Sequence, residues 1–276
     1  MSPRDALLAL LVAFIWGVSF VGIKIGVTEM PPLLFSAFRF TFAALPAVFL
    51  FKAPSTPARL VIGYGLAIGV AQFGLLFIAI RLGMPAGLSS LLIQIQVVFT
   101  LFFAWVAMGE RPRAYQLAGV AVAVVGLAVI ASGRLGAGGA LSFGLVMAAA
   151  ASWGAGNIIG KMAGRVDMLA FMAWSSLVAP LPLLILSLPF EGPEAIAALV
   201  HPTFKALLAA AFLGYVATML GYSLWAHLLS RHPAAVIGPF SLLVPVFGFV
   251  ATRVAFGEQT SGLEYSGAAL ILAGVG

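Results

Sequence analysis

The run PAGLSSLLIQIQVVFTLFFAWVAMGE, residues 85–110, returns 148 residues later as PAAVIGPFSLLVPVFGFVATRVAFGE, residues 233–258. Each block is 26 residues long, opens on Pro-Ala and closes on Gly-Glu. Between these marks lies an apolar stretch long enough for a helix to cross a ~30 Å hydrocarbon core. The 148-residue offset also carries Gly119 and Gly126 onto Gly267 and Gly274. Nearer the N-terminus, an offset of 137 carries Trp16-Gly17 and Lys24 onto Trp153-Gly154 and Lys161. Matches in this order, at consistent spacing, define one unit that occurs twice, with about 11 residues acquired between the copies.

Composition fixes the solvent of both copies. Of 276 residues 63% are hydrophobic and 8% charged, against roughly 25% charged in an average soluble domain. Folded in water, such a chain would expose large apolar patches that drive association; its solvent is lipid. The formal charge of +6 comes from basic residues scattered singly, which excludes a nucleic-acid patch. With no cysteine, disulfides, Cys-ligated zinc, Fe–S clusters and thiol catalysis are excluded too. Nothing in the sequence implies a metal or another cofactor. The first apolar stretch runs through Trp16, Phe20 and Lys24 without a small-residue cleavage site, so it reads as a permanent span and not a cleaved signal.

Cutting the chain where charge, Pro and Gly cluster gives ten segments: Ala6 to Ile25, Pro32 to Phe51, Leu60 to Ile80, Pro85 to Met108, Ala114 to Ala131, Leu141 to Met162, Met168 to Leu188, Phe204 to Leu229, Pro233 to Phe256 and Leu263 to Gly276. The expected fold is an all-α membrane protein of ten transmembrane helices. The last segment has 14 residues, about 21 Å of helix, and the repeat offset carries its match past Gly276; the natural protein is therefore expected to continue. With the N-terminus cytoplasmic, the inner loops hold Arg4, Lys52, Arg59, Arg111, Arg113, Lys161, Arg165 and Arg231, and the outer loops Lys24, Arg81, Arg134, Lys205 and Arg253. Eight against five places both termini in the cytoplasm. Arg39, inside the second segment, stays outside this count.

Five spans per copy is an odd number, so the second copy must cross the membrane upside down. The organisation read from this is a first five-helix repeat over residues 1–132, a Gly-rich linker over 133–140 and an inverted repeat over 141–276. Secondary transporters use such inverted repeats to build two alternative openings around one midplane site.

Two five-span halves, each with Trp-Gly in the first helix, a Pro-Ala…Gly-Glu block over the fourth and a Gly-spaced fifth, resemble the EamA type of the drug/metabolite transporter superfamily. The resemblance covers the whole chain, and the Gly-Glu ends at Glu110 and Glu258 are its most specific marks. It implies a transporter of the cell inner membrane that exports small metabolites, amino acids above all, aromatic ones included. One departure stands out: a proline common midway along the family's fourth helix is present as Pro245, whereas Val97 occupies the matching place in the first half. The two halves are expected to bend differently.

Polar and aromatic residues near the bilayer centre must face protein or a cavity. The candidates for substrate binding are Trp16, Ser19, Gln72, Gln94, Trp153, Asn157, Tyr215, Thr218, Tyr222 and Ser241. Amides address both a carboxylate and an ammonium group, and aromatic faces attract a cation as well as apolar surface. Such a wall suits a small zwitterionic or uncharged, partly apolar solute. Gln72 and Asn157 have an alternative role as hydrogen bonds between helices. Gln94 and Gln96 are two apart on a helix, hence about 200° apart, and are not expected on one face. Tyr215, Thr218 and Tyr222, at i, i+3 and i+7, read as one stripe. Pro180, Pro182, Pro239 and Pro245 mark bends.

The expected mechanism is alternating access of the third and fourth helices against the eighth and ninth, in a monomer or homodimer. A passive channel for small neutral or zwitterionic solutes is the alternative, disfavoured by the lack of a charged ring or carbonyl-filter signature. An enzyme is not expected, because His201, His227 and His232 have no carboxylate at helical spacing. All eight acidic residues fall at span ends or in loops, which suits a facilitator without obligatory proton exchange.

Overall fold

The computed structural model describes residues 1–134, 139–164, 166–232 and 234–275. Arg165, Pro233, Gly276 and residues 135–138 of the Gly-rich linker lie outside the described residues. Those described are helical, with no strand among them.

Helix α1 (Pro3–Glu29) is capped by Ser2, whose hydroxyl accepts from the Asp5 N–H, and stops before Pro31-Pro32. Helix α2 consists of Pro32–Ala44 and Ala47–Leu50, interrupted at Leu45-Pro46. Helix α3 runs Ala58–Tyr64, passes through a π-helical stretch over Gly65–Gln72 and finishes as Phe73–Arg81. Helix α4 is Ala86–Leu92, a 3₁₀ turn over Ile93–Ile95 and then Gln96–Met108. Helices α5 (Ala114–Arg134) and α6 (Gly139–Met162) are continuous. Helix α7 breaks at Ala179, just before Pro180, into Met168–Val178 and Pro180–Glu191. A connecting helix, Pro193–Val200, leads to α8, made of Phe204–Ala211, a π-helical stretch over Phe212–Leu220 and Gly221–Arg231. Helix α9 is Ala234–Ser241 and Leu243–Phe256, and α10 is Gly262–Val275.

Among the described residues eight helices, α1 to α8, are long and apolar enough to cross a membrane, and Leu243–Phe256 is a shorter apolar helix. The ninth and tenth segments thus fall below spanning length taken singly. In α9 the break at Leu242 divides the run; α10 has 14 residues.

The helix irregularities recur at the offset found in the sequence. The two π-helical stretches, Gly65–Gln72 and Phe212–Leu220, lie at the 148-residue offset, as do the break at Leu242 in α9 and the 3₁₀ turn around Gln94 in α4. The fourth helix of each half is therefore interrupted at the same place. Pro245 forces this in α9 by removing a donor, whereas α4 yields there with Val97 in the matching position; the expectation of different bending holds for the cause and not for the location.

Each half's first helix packs against the fourth helix of the other half. A Cβ on Gly17 would stand 2.4 Å from the Phe247 Cβ and 2.9 Å from the Gly248 nitrogen; one on Gly154 would stand 2.7 Å from the Phe99 Cβ and 2.9 Å from the Thr100 nitrogen. These backbones touch because neither glycine has a side chain. Gly109 and Gly257 end their helices in the left-handed conformation, at φ 70° and 65°, which costs glycine little. The turn delivers the following glutamate to a lysine of the opposite half: Glu258 meets Lys24 at 2.6 Å and Glu110 meets Lys161 at 2.5 Å. Glu258 also accepts from the Ala86 and Gly87 N–H groups, both at 3.0 Å, and so caps α4. Helices α5 and α10 pair through Gly119 against Gly274 and Gly126 against Gly267.

Candidate functional site

The interruptions in α3, α4, α8 and α9 surround a cavity of about 310 Å³, within the size range of small-molecule sites. A straight α-helix pairs each carbonyl four residues on; the i→i+5 bonds of a π-helix and the tighter 3₁₀ turn break that ladder and leave carbonyls for other donors. The Trp16 indole N–H uses one of them, donating to the Ala217 carbonyl at 2.9 Å. Its ring then lies 5.2 Å, centroid to centroid, from both Tyr222 and Trp225. Three aromatic faces from α1 and α8 thus make one wall.

Of the ten residues singled out from sequence, eight border the cavity: Trp16, Ser19, Gln72, Gln94, Trp153, Asn157, Tyr222 and Ser241. Ser19 Oγ donates to the Trp16 carbonyl at 2.5 Å. Asn157 has the inter-helix role: its Nδ2 donates to Gln96 Oε1 at 2.7 Å and to Thr100 Oγ1 at 3.0 Å, tying α6 to α4. Gln96 and Gln94 both reach the cavity. The ordinary helical phase that would separate them does not carry across the 3₁₀ turn over Ile93–Ile95.

The stripe on α8 departs from expectation. Tyr222 lines the cavity, but Tyr215 is 42% exposed on the outside, edge-on to Phe42 at 5.5 Å, and Thr218 is buried behind the wall. An i, i+3, i+7 reading assumes 3.6 residues per turn. Phe212–Leu220 is π-helical, and its wider turn rotates Tyr215 away from Tyr222. Thr218 Oγ1 shows the same register, donating five residues back to the Leu213 carbonyl at 2.8 Å.

The residue missing from the sequence reading is Arg39. It is 5% exposed and borders the cavity from α2. The guanidinium carbon lies 3.5 Å from the Phe73 ring centroid and 4.8 Å from that of Phe40, and Nη2 donates to Thr218 Oγ1 at 3.3 Å. Among the described residues no carboxylate pairs with it. Its position in mid-span is a signal in itself, since an ionisable group at that depth marks a functional site by default. Phe20, Tyr64, Phe73 and Trp225 also contribute to the aromatic lining.

Among the described residues no acidic side chain or histidine borders the cavity. His227 is exposed. Acidic groups gather at the helix ends: Asp5 against His232 at 2.9 Å, Glu191 accepting from the Leu33 and Leu34 N–H groups at the start of α2, and Glu264 with Ser261 in a capping box opening α10. At the Glu29 end of α1, burial raises the Glu258 carboxyl, but hydrogen bonds from Lys24, Gly87 and Ala86 and the Lys24 charge outweigh it and hold the group below its ordinary value. No group of three or more potential metal-ligating side chains occurs among the described residues. A chamber of amides, hydroxyls, aromatic faces and one cation suits reversible binding of a small solute, and among the described residues it offers no nucleophile paired with a base.

Comparison with known proteins agrees. The sequence profile of the EamA-like transporter family matches residues 4–132 and 141–276. A protein of Salmonella typhimurium named "Probable amino-acid metabolite efflux pump" is 43% identical over 282 residues, covering 100% of this chain and 94% of its own length. An Escherichia coli protein of the same name is 40% identical with the same coverage. A "Probable terminal-alkyne amino-acid exporter" of Streptantibioticus cattleyicolor is 30% identical over 214 residues, 76% of this chain and 69% of that one. A solved protein crystal structure, 20% identical, superposes with a TM-score of 0.66 over 100% of this chain and 96% of its own, a likeness of fold alone. The chain belongs to the EamA-like transporter family and is a multi-pass membrane transporter, not an enzyme.

Proposed function

We propose that this transporter exports amino acids, aromatic ones included, from the cytoplasm across the inner membrane by alternating access around the central cavity. The observation that carries the reading is the cavity wall: Trp16, Trp153 and Tyr222 offer aromatic faces beside the amides of Gln72, Gln94 and Asn157. An aromatic amino acid presents an apolar ring and two opposite charges, and each finds a complement there. The names of the Salmonella and Escherichia coli relatives point to the same solute class.

The arrangement is read as ten membrane-crossing helices in two inverted repeats, residues 1–132 and 141–276 joined by 133–140, with both termini cytoplasmic. Support comes from the two related lysine–glutamate pairs, from the first-helix-on-fourth-helix contacts at Gly17 and Gly154, and from the paired π-helical stretches. Helices α3 and α4 and their partners α8 and α9 carry the breaks, and hinges belong where a hydrogen-bond ladder is already interrupted. The α5–α10 pair stands apart from the cavity as a scaffold or a dimer contact.

Counterflow of labelled L-phenylalanine in proteoliposomes tests the reading. Saturable uptake, accelerated by unlabelled L-phenylalanine inside, is expected. Flux that neither saturates nor shows counterflow makes the protein a passive channel instead.

A further inference from the structure

Arg39 has more hydrogen-bonding capacity than the protein uses. Its Nε and Nη1 are buried with no acceptor, and the bond to Thr218 Oγ1 occupies Nη2 alone. An arginine cannot shed its proton to escape burial, and an unpaired cation at this depth is expensive. The aromatic faces of Phe40, Phe73 and Phe77, with ring centroids 4.8, 3.5 and 5.9 Å from the guanidinium carbon, offset part of that cost. They supply no acceptor for the N–H groups.

Nor does the fold require a charge here. Gly214 packs on the Arg39 carbonyl and the Phe42 Cβ as Gly65 packs on the Ser175 carbonyl and the Val178 Cβ, so Ser175 stands where the second half would have its Arg39, and α7 forms an equivalent buried helix with that serine. The cation is thus an addition to one half of the repeat, placed at the cavity. Phe73, whose ring covers the guanidinium, borders the cavity as well. A rotation of that one side chain exchanges the aromatic face for an anion arriving from the cavity. A carboxylate is the anion that matches the fork of a guanidinium, taking two parallel hydrogen bonds.

Building on the exporter reading above, we propose that Arg39 is the anchor for the α-carboxylate of the transported amino acid, and that it makes the site selective for free acids over their amides. The solute's ring and ammonium then fall to the aromatic and amide wall of α1, α6 and α8.

The test compares L-phenylalanine with L-phenylalaninamide, which differs only at the carboxylate, in counterflow on the full-length chain. Wild type is expected to prefer the acid at least tenfold. Arg39→Met, close in shape and uncharged, is expected to lose that preference by slowing the acid while leaving the amide within about twofold. Arg39→Lys, which keeps the charge without the fork, is expected to retain an intermediate preference and serves if the methionine variant does not fold. Equal handling of acid and amide by wild type overturns the proposal, and so does a variant that slows both alike, the outcome of a purely structural arginine. Uptake of neither compound by wild type overturns the exporter reading itself, and this inference with it.

Discussion

Replacing Glu258 by alanine should open the Glu29 end of the cavity, and the structure sets the size of the effect. Its carboxylate takes one hydrogen bond from Lys24 at 2.6 Å and two from the Ala86 and Gly87 N–H groups at 3.0 Å. The side chain is 11% exposed and that of Lys24 31%. Breaking a fully buried pair costs about 3–5 kcal/mol and an exposed one up to about 1 kcal/mol; losing a helix cap adds about 1 kcal/mol. Discounted for the exposure of Lys24, the latch is worth about 2–3 kcal/mol, a shift of about 30- to 150-fold toward the open form. The related pair, Lys161 and Glu110, is about half exposed on both sides and should yield no more than about fivefold at its own end. The assay is impermeant maleimide labelling of Ser19→Cys, a cavity residue in a chain without native cysteine, from the membrane face bearing Glu29. Because the Glu258 carboxyl is held below its ordinary value, its stabilisation is complete above the ordinary carboxylate range and is lost only as pH falls through the lowered value. Expressed relative to a fully exposed cysteine at the same pH, which removes the thiol's own titration, wild-type labelling should therefore stay low at neutral pH and rise only in acid below the ordinary carboxylate range. An unchanged rate in Glu258→Ala, or an equally large effect of Glu110→Ala at the opposite face, would refute the latch.

Trp153→Ala removes cavity wall and should lower L-phenylalanine counterflow at least fivefold at normal expression, whereas Tyr215→Ala, on the outer surface, should leave it within about twofold; the reverse order would return Tyr215 to the site. Single cysteines at Gly109 and Gly257, the two helix ends followed by the lysine-bound glutamates, should label from opposite faces of the membrane, and labelling of both from one face would end the inverted-repeat reading. With neither acid nor histidine at the cavity among the described residues, an imposed pH gradient at fixed membrane potential should not drive uptake above the external concentration; accumulation abolished by a protonophore would establish proton coupling.

What could be read from the sequence was whatever repeats or obeys a fixed period. The Gly-Glu ends are the clearest instance: glycine is there because the helix must stop in a left-handed turn, and glutamate because the turn faces a lysine of the other half. The offsets that exposed the repeat therefore also located the contacts between halves, including the glycine-to-backbone packing at Gly17 and Gly154. The same reasoning failed where the period itself changes. A 3.6-residue turn sets Tyr215 beside Tyr222, yet the intervening helix is π-helical; the same turn sets Gln94 and Gln96 apart, yet both reach the cavity where a 3₁₀ stretch interrupts α4. Neither irregularity has a residue signature of its own, since Phe212–Leu220 and Ile93–Ile95 are mostly apolar runs like their neighbours. Arg39 is the opposite case. Its place inside a span is plain in the sequence, and a count of loop charges leaves it out because such a count concerns orientation. A cation inside a span has to be explained by what it binds, and among the described residues the protein supplies three aromatic rings and one hydroxyl but no anion. The repeat makes the same point from the other side, for a feature found in one copy alone cannot be a demand of the shared fold. Under the proposal that Arg39 anchors the solute's carboxylate, this departure from internal symmetry at the cavity wall is where the transporter's selectivity is set.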